Sequence, residues 1–156
     1  MPQPATRSAT RRDDTAEMAA RLRLAATRLA RRLRQEAGTG LTPSQLSALA
    51  TVHNHGPLTL GALAEREQVA PPSITKVVTK LEADGLLRRT PDRDDRRFSN
   101  AQTTPAGAAL VDESRRRKTA WLTDQIHQLA VEDRRRLAAA LDVLEQLTST
   151  EAQDPT

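Results

Sequence analysis

Apolar residues recur at helical spacing in the first and last parts of the chain. Near the start, steps of three and four residues connect Met18, Leu22, Ala25, Leu29 and Leu33. Near the end, the same steps connect Leu137, Leu141, Leu144 and Leu147. Residues at these spacings lie on one side of an α-helix, so each set forms an apolar stripe. The pattern predicts a first helix over residues 14–37 and a last helix over residues 132–148.

Capping residues mark the starts of the shorter helices between these two. Thr42 can cap a second helix, because Pro43 suits its first turn and Gln45 completes a capping box. A third, short helix follows Thr59, whose hydroxyl can serve the same purpose. Prolines cannot lie inside a helix but can introduce one, so the Pro-Pro pair predicts a fourth helix over residues 72–84.

A short β-hairpin is predicted after the fourth helix. Gly85 suits the left-handed conformation that ends a helix. Residues 86–90 and 98–103 are strand candidates, and the segment between them is a turn rich in charged residues. Thr104, which is followed by proline, opens a fifth helix. The middle of the chain is therefore predicted to contain three helices followed by a hairpin.

The composition limits the chemistry that the chain can perform. Only 1% of its 156 residues are aromatic, namely Phe98 and Trp121, so the core must be built from Leu, Ala and Val. Such a core favours packed helices over an all-β sandwich. The chain contains no Cys, which excludes disulfides, thiolate metal sites and thiol catalysis. It also contains no glycine-rich phosphate loop, and we expect no cofactor.

Positive charge points to an anionic partner. The formal net charge is +4, and all but three of the 24 basic residues are arginine, the residue that binds phosphate with a planar fork. Nucleic acid is therefore a plausible partner. We expect no membrane association, since no apolar run approaches the length of a membrane span. Residues 1–13 predict a flexible basic arm rather than a secretory signal, which favours the cytoplasm.

The order of elements in the middle segment is typical of a winged helix-turn-helix. A short helix, a tight turn and a helix that starts with small polar residues form the helix-turn-helix. On the side of the fourth helix away from its apolar face lie Ser73, Thr75, Lys76, Thr79 and Lys80. Hydroxyls and ammonium groups can meet base edges and phosphates in the major groove, although an ordinary solvated face has the same composition.

The hairpin favours the DNA-binding interpretation of that face. Residues 86–97 contain five arginines and three aspartates, a net charge of +2. A basic hairpin beside a recognition helix forms a wing, whose tip can enter the minor groove. The predicted fold is therefore mainly α with a small β-hairpin wing, in which further helices flank a winged helix-turn-helix.

Three segments of this region resemble the MarR family of bacterial transcription regulators. They are LEADGLLRR at residues 81–89, DRDDRR at 92–97 and TPAG at 104–107. The helices that begin near Gln45 and Leu60 also fit the family pattern. The resemblance implies a homodimer whose first and last two helices interlock between subunits. Each subunit would dock its winged helix-turn-helix on half of a palindromic operator in double-stranded DNA.

The resemblance also implies roles for individual residues. Those that would face bases or phosphates at the start of the fourth helix are Pro72, Ser73, Thr75 and Lys76. Arg93 and Arg96 would lie at or near the tip of the wing, and Asp95 and Arg97 would brace it as an acidic–basic pair. The Pro-Pro pair departs from the polar entry that is usual in this family, so the base preference cannot be transferred.

The expected organisation of the chain has five parts. They are the basic arm (1–13), a dimerisation helix (14–37), the winged helix-turn-helix domain (41–104), the C-terminal dimerisation helices (105–149) and a tail (150–156). The apolar stripes at the two ends of the chain could form an intramolecular core. The winged domain already has a core of its own, however, so these stripes favour a bundle shared between two subunits.

Effector and metal sites are further predictions. The resemblance implies that a small aromatic effector binds between the dimer helices and the winged domain. His53 and Trp121 would line part of this effector site, although Trp121 could instead fill the dimer core. A zinc-responsive alternative uses His53, His55 and His127, because zinc accepts imidazole together with carboxylates. For the first two histidines, the competing interpretation is a helix end with favourable basic groups.

Two other functions compete with a DNA-binding regulator, which we expect to be a repressor without catalytic activity. An enzyme, such as a hydrolase that uses His53, His55 and Glu65, lacks a third nearby ligand and any supporting motif. A basic helical protein that binds RNA or another protein would not need an asymmetric wing. The hairpin is therefore the feature that separates the leading hypothesis from its rivals.

Overall fold

The computed structural model describes residues 5–91 and 99–149, which form six helices and three strands. The helices are α1 (Ala5–Glu36), α2 (Pro43–His55), α3 (Leu60–Arg66), α4 (Pro71–Ala83), α5 (Pro105–His127) and α6 (Val131–Ser149). The strands are β1 (Leu58–Thr59), β2 (Leu87–Pro91) and β3 (Ser99–Thr103). The chain divides into two compact units, Met1–Lys118 and Thr119–Thr156. The predicted class, mainly α with a small β component, is confirmed.

Helix α1 begins earlier than the pattern of apolar residues predicts. It starts at Ala5, so residues 5–13 of the expected basic arm belong to this helix, while residues 1–4 lie outside the described residues. Ala and Arg dominate that stretch and are strong helix formers, and neither Gly nor Pro interrupts it. The helix ends at Glu36, shortly before Gly38, whose φ of +60° belongs to the left-handed region.

The predicted caps of α2 and α3 are confirmed. The N–H of Thr42 donates to Gln45 Oε1 at 2.9 Å, and the N–H of Gln45 donates to Thr42 Oγ1 at 3.3 Å. These two bonds form the reciprocal capping box. At the start of α3, the hydroxyl of Thr59 accepts from the N–H of Ala62 at 3.2 Å. Local side chains therefore determine where both helices begin.

The sheet has three antiparallel strands in the order β1-β3-β2. Strands β2 and β3 form the predicted hairpin, with Leu87 opposite Thr103 and Arg89 opposite Ala101. Strand β1, which the pattern did not predict, places Leu58 on the other side of Ala101. Two residues are too few to show an alternation of apolar and polar positions, and their partner lies far along the chain. The sheet connects the start of α3 with the hairpin.

Among the described residues, the core of the first unit contains only aliphatic side chains. Helices α2 to α5 and strands β2 and β3 all contribute to it. The buried members are Ala48, Leu49, Val52, Leu63, Ala64, Ile74, Val78, Leu81, Leu87, Ala101 and Val111. Burial of one large aliphatic side chain stabilises a fold by about 1.5–3 kcal/mol. This core holds α4 and the two hairpin strands on one support.

The start of α5 packs closely against the base of the hairpin. Thr104 Oγ1 donates to the carbonyl of Gly85 at 2.7 Å and accepts from the N–H of Gly107 at 3.1 Å. Gly107 is buried, and a Cβ atom there would collide with the carbonyl oxygen of Leu86. Glycine is thus required in the TPAG segment for close approach, and the threonine attaches the start of α5 to Gly85 in the turn after α4.

Apolar residues of α1 and α6 remain exposed. On α1 they include Met18, Leu22, Leu24 and Leu29, and on α6 they include Leu141, Val143 and Leu147. Met18 is 65% exposed and Leu147 is 61% exposed. Single exposed apolar residues are ordinary, but a contiguous stripe marks an interaction surface. None of the helices within residues 5–91 and 99–149 has the length and apolar character needed to cross a membrane.

Candidate DNA-binding surface

Helix α4 has a buried face and an exposed face. Ile74, Val78 and Leu81 are buried in the core of the first unit. The exposed residues include all six that the sequence analysis assigned to DNA contact on this helix, Pro72, Ser73, Thr75, Lys76, Thr79 and Lys80. The helix thus presents hydroxyl and ammonium groups to solvent from a rigid support. Recognition in the major groove needs this arrangement.

Two prolines and a left-handed residue shape the turn before α4. Pro71 and Pro72 occupy the first turn of the helix, where a missing N–H leaves no helical hydrogen bond unmade. Gln68, in the preceding turn, has a φ of 53°. The neighbouring Glu67 accepts a hydrogen bond of 2.6 Å from the hydroxyl of Thr51 in α2. This bond anchors the turn, and with it the start of α4, to the second helix.

The second half of the exposed face is engaged in contacts within the protein. Lys80 Nζ lies 2.7 Å from Asp84 Oδ1, one turn further along the chain. Thr79 Oγ1 accepts a hydrogen bond of 2.9 Å from Arg89 Nη2 in strand β2. Binding of DNA by these two side chains would compete with interactions that the protein already makes.

The first half of the exposed face is less engaged. Thr75 Oγ1 donates to the carbonyl of Pro71 at 2.9 Å, which leaves its oxygen able to accept. Within the described residues, Ser73 and Lys76 make no side-chain hydrogen bond or ion pair. A ligand can therefore contact Ser73 and Lys76 without breaking an interaction seen in this part of the chain.

The strands of the wing lie within the described residues, and its tip lies outside them. Arg88 in β2 donates through Nε and Nη2 to Gln102 Oε1 of β3, at 3.2 and 2.9 Å. This cross-strand pair supports the register of the hairpin on its exposed side. The four tip residues of the sequence analysis fall in the segment 92–98, outside the described residues, and their roles stay predictions: Arg93, Asp95, Arg96 and Arg97.

Arg89 belongs to this surface, although the sequence analysis did not assign it a role. Its Nε lies 3.0 Å from Glu82 Oε2, in addition to the bond that its Nη2 donates to Thr79. In the sequence, the two arginines at the end of the LEADGLLRR segment are equally good candidates for a contact with α4. The strand decides between them, because successive side chains point to opposite faces of a sheet. Arg88 thus contacts the wing itself, and Arg89 contacts α4.

Within the described residues, the three histidines are not brought together as a metal site. His53 is half-buried, with its Nε2 3.5 Å from Asp112 Oδ1, whereas His55 is exposed. His127 belongs to the second unit. In the part of the chain that the structure describes, no group of three or more His, Cys, Asp or Glu side chains could hold a metal ion. The zinc alternative is therefore not supported, since side chains two residues apart on a helix point in different directions.

Arginines of α5 contact the ends of α1 and α2 within the first unit. Arg115 Nη2 donates to Asn54 Oδ1 at 2.6 Å, and Arg117 Nη1 donates to the carbonyl of Gly38 at 3.4 Å. Arg117 Nε also donates to Glu113 Oε1 at 2.7 Å. This hydrogen bond, followed by one from a neighbouring arginine, lowers the pKa of Glu113. The first part of α5 is thus connected to α2 and to the loop that follows α1.

The two residues predicted to contact an effector belong to different units. His53 lies in α2 of the first unit, and Trp121 lies in the part of α5 that belongs to the second. Both side chains are half-buried. Their joint role in effector binding therefore stays a prediction.

Known proteins are similar to this chain in sequence and in fold. Residues 41–98 match the MarR family. The chain is 39% identical over 133 residues to an HTH-type transcriptional regulator of Mycobacterium tuberculosis (strain CDC 1551 / Oshkosh), which covers 85% of this chain and 93% of that protein. It is 36% identical over 74 residues to the HTH-type transcriptional repressor MdtR of Bacillus subtilis (strain 168), which covers 47% of this chain and 48% of that protein.

A solved structure extends the similarity to three dimensions. The crystal structure of transcriptional regulator Tm0710 from Thermotoga maritima matches with a TM-score of 0.74 and 26% sequence identity, over 90% of this chain and 99% of that chain. The relatives are transcription regulators, which disfavours the enzyme and the RNA-binding alternatives. The chain belongs to the MarR family of HTH-type transcription regulators, which bind DNA as dimers.

Proposed function

We propose that this protein is a dimeric repressor that binds a palindromic operator through α4 and the wing. The observation that carries the proposal is the exposed first half of α4, where Ser73 and Lys76 have no partner within the described residues. These side chains project from a helix that a buried core holds beside two wing strands. Repression is supported by the similarity to MdtR, which is named a repressor. Because such a protein acts on DNA, its place is the cytoplasm of a bacterial cell.

Different parts of α4 would make different kinds of contact. Ser73, Thr75 and Lys76 would reach base edges, since hydroxyls both donate and accept and an ammonium group donates to guanine. The ring of Pro72 would offer an apolar contact to a thymine methyl group. Lys80 would contact phosphate, which positions the helix but carries no sequence information.

The wing would add contacts outside the major groove. Arg93 and Arg96 would contact phosphates or enter the minor groove, where arginine responds to the width of the groove. Asp95 and Arg97 would brace the tip as an ion pair. The cross-strand bond from Arg88 to Gln102 supports a hairpin stiff enough to hold such a tip in place.

The apolar stripes of α1 and α6 would form the interface between subunits. Met18, Leu29 and Leu147 are exposed in a single chain, and their burial against a second copy would favour association. A two-fold symmetric dimer would place two copies of α4 on the half-sites of an inverted repeat. The centres of these half-sites would lie about one helical turn, roughly 10 base pairs, apart.

A small aromatic anion would release the operator. Such an effector must bind one conformational state of the dimer better than the other. A coupling of about 1–3 kcal/mol would weaken DNA binding some five- to 150-fold. Trp121 is the residue that we propose to contact this effector.

Trp121 provides a direct test of the effector proposal, because it is the single Trp of the chain. Salicylate and related phenols are titrated against the wild type and Trp121→Leu, while fluorescence and release of the operator are followed together. We expect quenching and release at the same concentration, and weaker release from the variant. Release that is identical in both proteins would remove Trp121 from the site, and no release by any phenol would remove this effector class.

The DNA-binding proposal is tested by selecting bound sequences from a random duplex library and comparing variants on the selected site. Ser73→Ala and Lys76→Ala should change the preference among site variants, because they remove groups that read bases. Arg135→Ala removes one exposed cation from α6 and serves as the matched control. Equal loss of affinity on the selected site and on a scrambled duplex would show that α4 does not read sequence.

A further inference from the structure

One guanidinium group connects the wing to the recognition helix α4. Arg89 Nη2 donates to Thr79 Oγ1 at 2.9 Å, and Arg89 Nε lies 3.0 Å from Glu82 Oε2. Thr79 and Glu82 are three residues apart, so their side chains lie on the same side of α4. A single side chain of strand β2 thus contacts two residues, one turn apart on the same side of the helix that is proposed to read DNA.

The environment of Arg89 makes this bridge more than a surface ion pair. The side chain of Arg89 is 31% exposed and that of Glu82 is 28% exposed, and the Nε atom itself is shielded from solvent. The contact of Nε with Glu82 is an ion pair rather than a well-aligned hydrogen bond. If Glu82 were lost, the shielded Nε could not turn to water for a new partner, which favours retention of the bridge.

The position of Arg89 in the sheet fixes the strand end of this bridge. Arg89 pairs with Ala101 of β3, which is fully buried in the core. The guanidinium is planar and carries its donors in a fixed fork, so contacts to two acceptors restrict the direction of the side chain. The base of the wing is thereby held at one orientation relative to α4.

We propose that Arg89 is a positioning residue that sets the wing against α4, and that Thr79 accepts its hydrogen bond instead of reading a base. This inference rests on the proposed function of α4. It changes the role that the sequence analysis assigned to Thr79, whose oxygen is turned toward the wing. Base reading is then confined to the first half of the helix, where Ser73 and Lys76 are available.

Paired substitutions separate positioning from base reading. Thr79→Val removes the acceptor while keeping the shape, and Thr79→Ser keeps the hydroxyl. Arg89→Lys keeps the charge but cannot contact both partners. We expect Thr79→Val and Arg89→Lys each to lower affinity for the selected operator about fivefold to tenfold, the size expected for the loss of one ordinary hydrogen bond. Thr79→Ser should bind like the wild type, and the double variant should lose no more than either single variant.

The salt dependence of binding distinguishes positioning from a direct phosphate contact. A positioning residue should lower the ratio of operator to scrambled-duplex affinity and leave the slope of log affinity against log salt unchanged. A lost phosphate contact should lower that slope by about one unit and weaken both duplexes equally. Arg135→Lys is the matched control, because Arg135 is an exposed arginine of α6 that belongs neither to α4 nor to the wing. Thermal unfolding of each variant shows that the fold is retained.

The outcomes are distinguishable from failure of the proposed function itself. If the wild type does not prefer the selected site over a scrambled duplex, the proposed function fails. If it does, but the effects of Thr79→Val and Arg89→Lys add, the two residues act independently and the bridge proposal is overturned. The same conclusion follows if Arg89→Lys has no effect or if its salt slope falls. Coupled, equal losses with an unchanged slope support the proposal.

Discussion

The winged domain and the terminal helices use the same residue types in opposite ways. Both are patterned with Leu, Val and Ala at helical spacing. In α4, Val78 and Leu81 are fully buried in the core of one chain, whereas Met18 and Leu29 of α1 are exposed. Periodicity thus identifies an apolar face without saying what covers it. The apolar faces of the winged domain are covered by its own chain, and we propose that a second copy of the chain covers the face of α1 that is not.

The largest expected effect breaks the assembly and leaves the winged domain folded. Leu29→Asp together with Leu144→Asp would place carboxylates in an apolar interface, at a cost of several kcal/mol. We expect a monomer in sedimentation velocity and a loss of operator affinity of about 100-fold or more, because the two half-sites no longer act together. Arg135→Asp, at an exposed position of α6, should remain dimeric. A dimeric double variant would contradict the proposed interface.

A substitution in the core of the winged domain tests the apolar face that is covered by its own chain. Leu49→Ala would leave a cavity in the winged domain, where Leu49 is fully buried. We expect the free energy of unfolding to fall by about 2–5 kcal/mol, by the same amount at all protein concentrations. The effect of Leu22→Ala on α1 should instead depend on concentration, because it weakens association. Chemical denaturation at two protein concentrations, tenfold or more apart, checks the effects of both substitutions. A concentration-dependent effect of Leu49→Ala would count against a self-contained domain.

The wing should contribute less than the assembly, and through charge. Arg93→Ala and Arg96→Ala should each weaken binding on all duplexes and lower the salt slope by about one unit, if each loses one phosphate contact. Lys76→Ala should lower the preference for the selected site. Fluorescence anisotropy over a range of salt concentrations separates the two patterns. A change of sequence preference for the arginine variants, without a change of slope, would assign base reading to the wing.

The smallest effect concerns the contact between α5 and the end of α1. Glu113 holds Arg117, which donates to the carbonyl of Gly38. Because hydrogen bonds from Arg117 and its neighbour lower the pKa of Glu113 below its usual 4.5, this carboxylate favours the folded state above that pH. Its contribution disappears as the pH falls through the lowered pKa. We therefore expect Glu113→Gln to lower Tm slightly at pH 7 and to lower it less as the pH falls below 4.5, and an equal difference over this whole range would contradict the assignment.

Local rules predicted the parts of the fold that depend on neighbours in sequence. Thr42 and Thr59 cap the helices that they precede, and Gly85 takes the left-handed conformation after α4. Strand β1 escaped prediction because its two residues form a strand only through pairing with β3, far along the chain. The start of α1 at Ala5 escaped because helix propensity extends the helix beyond its apolar stripe.

The same distinction applies to the candidate site: positions along one helix could be predicted, and contacts between elements could not. Spacing alone placed Ser73 and Lys76 on the exposed side of α4, where the structure has them. Spacing also placed Thr79 there, but did not show its hydrogen bond with Arg89, since that bond depends on how β2 packs against α4. The sequence left a metal site at the histidines open as an alternative, and within the described residues the structure brings no three potential ligands together.

The stoichiometry of the protein–DNA complex tests the central claim most directly. The claim is that two copies, joined through their terminal helices, read one inverted repeat with two copies of α4. Sedimentation equilibrium of a labelled duplex with increasing protein measures how many chains bind. We predict two chains on a duplex with both half-sites and no populated complex with a single chain. One chain bound to a single half-site as tightly as two chains bind the full operator would contradict the account.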